Sequence, residues 1–272
     1  GIQEPFMSFT SWFWDYNQDG LEDLYVTGYN NNDSYKLAGE VAKDYMGLAF
    51  EGETPRVYRN NGDETFTDVT EELGLDRLLL AMGGNCGDFN NDSYPDFYLG
   101  TGEFNIWASF PNRAFLNSKG EKFYDVTSAG QMGQIQKGHG VAFGDLDNDG
   151  DQDVYHQVGG AAESDVFQNM LLENPGFGNN WISLRLEGTT ANRSAIGARV
   201  KVYASDENQS KVFYHTVSTG GSFGANSLRL EIGLEKLTKV DSVTVQWPNI
   251  ELTKSKYSSL DINRHYQIVE SE

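Results

Sequence analysis

The feature that most constrains this chain is a nine-residue acidic loop that occurs three times, each time before a short β-prone run. The loop has the form D-x-[DN]-x-D-[GS]-x-x-D, and its copies span 15–23, 88–96 and 145–153. We call them loops 1, 2 and 3 and number their positions 1 to 9. An F-x-D-V-T segment follows the first two loops, at Phe66 and Phe123. A repeat of about sixty residues built from short strands predicts propeller blades. Because blades bury their faces only against neighbours, three copies predict an incomplete ring.

The pattern changes near residue 177. The acidic loops stop, and apolar and polar residues alternate as in half-buried antiparallel strands. The segments with this alternation are 181–187, 198–204, 212–218, 228–232 and 242–247. We therefore predict an all-β protein with propeller repeats over 1–176 and a sandwich-like β domain over 177–272. Helical spacing of apolar residues within 35–50 predicts one short helix, inserted between strands.

The spacing of the loop residues predicts a cation site in each copy. Side chains at positions 1, 3 and 5 place three oxygens inside one tight turn, and position 9 returns a carboxylate from the next strand. With the backbone carbonyl of position 7, this oxygen set suits Ca²⁺ better than Mg²⁺, which prefers fewer protein ligands. Up to three Ca²⁺ are expected. The predicted ligands are Asp15, Asn17, Asp19, Leu21, Asp23, Asp88, Asn90, Asp92, Tyr94, Asp96, Asp145, Asp147, Asp149, Asp151 and Asp153.

Other metal-loop classes fit less well. An EF-hand needs a bidentate Glu at its twelfth position, where this chain has Val26, Leu99 and His156. The loops contain no His or Cys at all, which disfavours Zn²⁺ and copper. Ser93 replaces Gly at position 6 of loop 2, and a Ser in the left-handed region there costs about 1 kcal/mol.

The acidity of the chain excludes several classes of partner. Of its 272 residues, 40 are Asp or Glu and 20 are Lys or Arg, which gives a formal net charge of −20. That charge argues against nucleic acid, which needs a basic surface. The sequence contains no run of 18 apolar residues, so it predicts no membrane span. Ten of the acids are Asp residues at positions 1, 3, 5 and 9 of the loops. Three Ca²⁺ would change the formal charge to −20 + 6 = −14.

These motifs resemble known families. The loops are similar to FG-GAP/VCBS repeats, the calcium-loop propeller repeats also found in integrin α-subunits, and KGHGVAFGD at 137–145 resembles their last repeat. The C-terminal part resembles the ASPIC/UnbV module. The segments that carry this second resemblance are GNNWI at 178–182, LEGTTANRSAIGARV at 186–200, GGSFGA at 220–225, IGL at 232–234 and VQWPN at 245–249. The combination is similar to bacterial relatives of the cartilage acidic protein family.

The resemblance implies an extracytoplasmic, calcium-loaded propeller of seven or eight blades with no settled catalytic activity. It places the protein outside the cell or at its surface, on the outer membrane if the source is bacterial. Because only about three repeats are present, we expect that N-terminal blades are missing or that another chain completes the ring. The expected role is an interaction scaffold for a protein or glycan partner, either alone or as a subunit of a cell-surface assembly.

A carbohydrate-active enzyme is the alternative, since calcium propellers can also host polysaccharide cleavage. It needs paired carboxylates or a basic proton acceptor in a cleft. Glu103 and Asp165 are the acids outside the loops that we considered for it, and neither has a visible partner in the sequence. Trp107 is the best candidate for a sugar-stacking residue. Trp12, Trp14, Phe13, Phe104 and Phe110 are weaker candidates that we expect mainly in the core.

Overall fold

A computed structural model describes residues 2–29, 34–102, 109–159 and 166–271. The N-terminal part of the chain, up to Leu172, folds into three antiparallel sheets, which we call blades 1, 2 and 3. Blade 1 consists of β1 (Ser8–Trp14), β2 (Asp23–Gly28), β3 (Arg56–Asn60) and β4 (Phe66–Asp68). Helix α1 (Ser34–Tyr45) lies between β2 and β3 in the chain, as predicted.

Blades 2 and 3 repeat this topology. Blade 2 pairs β5 (Ala81–Gly87), β6 (Asp96–Thr101), β8 (Arg113–Asn117) and β9 (Phe123–Asp125), and β7 (Phe110–Pro111) pairs with β10 (Ile135–Gln136). Blade 3 pairs β11 (Gly138–Gly144), β12 (Asp153–Val158) and β13 (Met170–Leu172). In every blade the acidic loop joins the first two strands. The predicted four-strand unit is present in blades 1 and 2, while blade 3 has three strands in the described residues.

Aromatic side chains fill the space between blades 1 and 2. Trp14 of β1 stacks on Phe123 of β9 with 5.4 Å between ring centroids, and Trp12 stacks on Tyr25 at 4.3 Å. Both tryptophans are buried. Such rings contribute large apolar areas and additional pair energy. The first strands β1, β5 and β11 run side by side, so they form the inner edge of the propeller.

The outer face of blade 3 is open. Val57 and Ala114, on the third strands of blades 1 and 2, are fully buried, whereas the equivalent Leu171 of blade 3 is 57% exposed. Tyr155 on β12 is also exposed, although its equivalents in the other two blades are buried. In the described part of the chain no further blade packs on this face. The described residues thus form three blades, and the incomplete ring stays a prediction.

The C-terminal part is a two-sheet β structure. One sheet has the order β17-β14-β20 and the other β16-β15-β18-β19. Their strands are β14 (Trp181–Glu187), β15 (Arg199–Ser205), β16 (Ser210–Thr216), β17 (Leu230–Gly233), β18 (Lys239–Gln246), β19 (Lys254–Leu260) and β20 (Arg264–Val269). A common apolar core, with Ile182 and Ile268 from one sheet and Val202 and Val243 from the other, joins them.

This arrangement confirms the predicted all-β class and the sandwich-like second part. The alternation pattern located β14 to β18 but not the last two strands, β19 and β20. The segment 173–180 between the two parts contains no strand, and the division at residue 176 stays a prediction.

Candidate metal-binding loops

Each acidic loop is closed by its first carboxylate. In loop 1, Asp15 Oδ1 accepts a hydrogen bond from the N–H of Asp19 at 3.0 Å, and Oδ2 accepts one from Gly20 at 2.7 Å. Asp88 and Asp145 accept the same two bonds in loops 2 and 3. A carboxylate offers about four lone-pair directions, so the bonds that shape the turn leave capacity for a cation.

The carboxylate at position 9 joins the loop to the third strand of its blade. In blade 2, Asp96 accepts the N–H of Phe89 at 2.7 Å and that of Asn117 at 2.6 Å. Asp153 repeats both bonds with the equivalent residues of blade 3. Position 9 is therefore held rigidly at the base of the loop, as a returning ligand requires.

A recurrent asparagine at the end of the third strand also links neighbouring blades. The Asn117 amide donates to the Tyr16 carbonyl of loop 1 at 2.8 Å, and the Asn174 amide donates to the Phe89 carbonyl of loop 2 at 2.8 Å. Sequence reasoning missed this role. Aligning the third strands of the repeats would have shown the shared Asn.

Loop 1 contains a buried carboxylate oxygen that the protein leaves unsatisfied. Asp23 is fully buried, and its Oδ1 accepts the Asn60 N–H at 2.8 Å. Its Oδ2 makes no well-formed hydrogen bond, although the backbone N–H of Tyr16 interacts with this carboxylate. Burial, together with the negative charge of Asp19, raises the pKa of Asp23 to about 7. Burial likewise raises the pKa of Asp15 to about 7. A cation would compensate both carboxylates.

Loops 2 and 3 show the same electrostatic signature. Burial and the nearby charge of Asp88 raise the pKa of Asp96, and burial raises that of Asp145 although Arg229 opposes it. In loop 3, carboxylate oxygens of Asp145, Asp147 and Asp149 all lie within 4.8 Å of one another. Loops 1 and 2 have Asn at position 3, so their first three donors are two carboxylates and one amide oxygen.

The residues present fit Ca²⁺. Every side-chain donor at positions 1, 3, 5 and 9 is a carboxylate or amide oxygen, the ligand type that Ca²⁺ prefers. The unsatisfied Asp23 oxygen and the three converging carboxylates of loop 3 are the structural observations that support this fit. The ligand set itself stays a prediction.

Ser93, expected to strain loop 2, occupies the left-handed region with φ 69°. Its hydroxyl donates to the Gly233 carbonyl of the C-terminal domain at 2.6 Å. The strain predicted for this position is present, but a hydrogen bond compensates it. That bond could not be predicted, because its acceptor lies in another domain.

A segment of the C-terminal domain lies along the inner edge of the propeller. This central loop, 218–227, hydrogen-bonds to the inner strands of all three blades. Thr10 Oγ1 donates to the Ser222 carbonyl at 2.8 Å, and the N–H of Gly221 donates to Asn85 Oδ1 at 2.7 Å. On the third blade, the Val141 N–H donates to the Phe223 carbonyl at 2.9 Å. Ser222 therefore anchors the central loop to blade 1.

The aromatic residues considered for sugar stacking do not form a platform in the described residues. Trp12, Trp14 and Phe110 are buried, whereas Phe13 is 59% exposed. Trp107, Phe104, Glu103 and Asp165, the remaining candidates for a sugar site or an enzyme, lie outside the described residues.

Two family models match the chain. An FG-GAP-like repeat model matches residues 15–99, and the ASPIC and UnbV model matches residues 188–272. No curated protein shows significant similarity to the chain. Within the described residues, no helix has both the length and the apolar character needed to cross a bilayer. The fold, the loops and both matches agree: this chain is an FG-GAP-like repeat protein with a C-terminal ASPIC/UnbV domain.

Proposed function

We propose that this protein is an extracytoplasmic calcium-binding scaffold that presents its propeller surface to a protein or glycan partner. The observation that carries the calcium assignment is the threefold recurrence of one oxygen-lined loop, with an unsatisfied buried carboxylate oxygen at Asp23. Ca²⁺ at millimolar concentration outside cells suits loop sites of modest affinity. The two matched families are not typical of enzymes, which favours a binding role.

Equilibrium dialysis with Ca²⁺ tests the metal sites. We expect up to three Ca²⁺ per chain, and weaker binding of Mg²⁺ because it demands stricter octahedral geometry. The double substitution Asp147→Asn and Asp149→Asn should remove one Ca²⁺, since it neutralises two of the three clustered carboxylates in loop 3. Glu251→Gln, an exposed acid of the C-terminal domain, is the matched control and should leave the stoichiometry unchanged. Less than one Ca²⁺ per chain at millimolar concentration would contradict the proposal.

The scaffold role is tested by surface binding to a glycan array and to immobilised matrix proteins, each with Ca²⁺ and with chelator. Binding without turnover of the captured ligand supports the scaffold. Hydrolysis or cleavage of a bound glycan would instead favour the carbohydrate-active alternative.

A further inference from the structure

The three acidic loops have a second side that faces the C-terminal domain. The residue at position 4 of each loop is left-handed, with φ 58° at Gln18, 57° at Asn91 and 65° at Asn148. This residue is not among the predicted ligands. In all three loops it contacts the C-terminal domain instead.

The contacts at position 4 are hydrogen bonds. Gln18 exchanges two of them with the backbone of Tyr214, at 2.8 and 3.1 Å. The Asn91 carbonyl accepts the N–H of Glu235 at 3.0 Å. In loop 3, Arg229 donates to Asn148 Oδ1 at 3.1 Å and to the Asp145 carbonyl at 2.9 Å.

Position 6 makes close backbone contacts with the same domain. A Cβ on Gly150 would lie 1.9 Å from the Trp181 ring, and one on Gly20 would lie 3.0 Å from the Tyr214 ring. At the loop 2 contact, a Cβ on Gly233 would lie 2.1 Å from the Asn91 backbone. Each loop must therefore keep one defined shape for the domain to dock.

A cation would fix that same shape. Without it, the clustered carboxylates of a loop repel one another, and their repulsion favours a more open turn. Two events that require one conformation stabilise each other, and the effect is reciprocal by linkage. We propose that cation binding in the acidic loops and docking of the C-terminal domain are coupled, each holding the loops in the conformation that the other needs.

This inference rests on the proposed calcium binding and adds a consequence to it. When the cation is removed, the domain should loosen from the loops, and the central loop 218–227 should leave the inner strands. The backbone groups of Val141 and its neighbours that now bond to this loop would then be open to solvent. This inner-strand surface, now covered by the central loop, would be exposed only where the cation is scarce.

Hydrogen exchange on the full chain, with and without Ca²⁺, tests the coupling in one direction. We expect Ca²⁺ to slow amide exchange by about fivefold or more in β16 and in the central loop. The reference segment is β18, which lies inside the C-terminal domain and bonds to β15 and β19. Its exchange should not change, because docking leaves its own ladder intact.

Calcium affinity of interface variants tests the other direction. The backbone conformation at Gly233 is one that any residue can adopt, but the added methyl group of Gly233→Ala would clash with the Asn91 backbone. This substitution should therefore weaken Ca²⁺ binding by about 5- to 150-fold. Gln18→Asn is a second, milder variant. It places the residue type of loops 2 and 3 at position 4 but is too short to make both bonds to Tyr214. Gly39→Ala, where no atom lies within 4 Å of the new methyl group, is the control and should bind Ca²⁺ normally.

The outcomes separate the two proposals. Normal Ca²⁺ stoichiometry with unchanged exchange in β16 and the central loop, and with wild-type affinity in both interface variants, would overturn the coupling and leave the calcium scaffold standing. An absence of Ca²⁺ binding in the unmodified chain would overturn both. Unchanged exchange in β18 of Gly233→Ala verifies that the C-terminal domain is still folded.

Discussion

Two buried carboxylates in this molecule have pKa values that are shifted in opposite directions. Glu270, near the end of the C-terminal domain, is 3% exposed and accepts backbone N–H groups from Thr189, Thr190 and Ala191, each at 2.8 Å. Burial alone would raise its pKa, but the hydrogen bonds lower it to about 2. Asp23 in loop 1 is equally buried, keeps one oxygen unpaired, and has its pKa raised to about 7.

The difference shows how a charge can be stabilised inside each part of the protein. The C-terminal domain supplies enough donors for its own carboxylate, so Glu270 is a structural anchor that needs nothing else. In loop 1, burial raises the pKa values of Asp15 and Asp23 together, and one Asp23 oxygen has no well-formed hydrogen bond. A bound cation would compensate them, which is the physical argument for the proposed metal site.

Removing the cation should have the largest effect. A ligand at one hundred times its Kd stabilises the folded state by about 2.7 kcal/mol per site, so three loops give up to about 8 kcal/mol. Differential scanning calorimetry with Ca²⁺ and with chelator should show the propeller transition fall by about 5 to 10 °C per site. If chelator leaves the transition temperature unchanged, the loop carboxylates need no cation and do not differ from Glu270 in this respect.

The Glu270→Gln substitution should have the next largest effect. The amide can keep its oxygen on the three backbone N–H groups, but it loses the negative charge that they bond to. Its NH₂ group then faces the NH₂ of Asn249, which now donates to Glu270, so two donors oppose each other. We expect a loss of about 3 kcal/mol in unfolding free energy of the C-terminal domain, measured by urea denaturation in the presence of Ca²⁺. Glu251→Gln, on the exposed surface, should cost less than about 0.5 kcal/mol.

The pH dependence of stability should have opposite signs at the two carboxylates. Glu270 has a pKa lowered to about 2, so its contribution is present above its usual value of 4.5 and is lost as pH falls toward 2. Asp15 and Asp23 have pKa values raised from 3.8 to about 7, so the folded state holds their protons longer. Their ionisation destabilises the metal-free protein as pH rises from about 4 to 7.

Urea denaturation in chelator at successive pH values measures this profile. The metal-free chain should be most stable between about pH 4 and 5, with losses on the order of 1 kcal/mol per pH unit on either side. Asp23→Asn should flatten the side above pH 5, and Glu270→Gln the side below pH 4. Ca²⁺ should abolish the loss above pH 5. A metal-free chain whose stability rises from pH 5 to 7 would contradict the raised pKa values.

Much of the local structure could be predicted from the sequence, because the patterns that indicate it lie within short stretches of the chain. The three loops, their strands and helix α1 follow from nine-residue spacing and short periodicities. The role of Gln18 did not follow, since it fills a position of the motif that accepts any residue and its partner Tyr214 lies far along the chain. Glu270 gave no signal for the same reason, because its donors at 189–191 are distant in sequence.

The smallest effect should come from Ser93, where loop 2 differs from loops 1 and 3. Its left-handed backbone costs about 1 kcal/mol relative to Gly, and its hydroxyl bond to the Gly233 carbonyl returns a similar amount. Ser93→Gly should therefore be close to neutral, while Ser93→Ala, which keeps the strain and loses the bond, should destabilise by about 1 kcal/mol in urea denaturation. Equal effects of the two substitutions would show that the hydroxyl does not compensate the backbone, and that loop 2 is held in shape by its carboxylates alone.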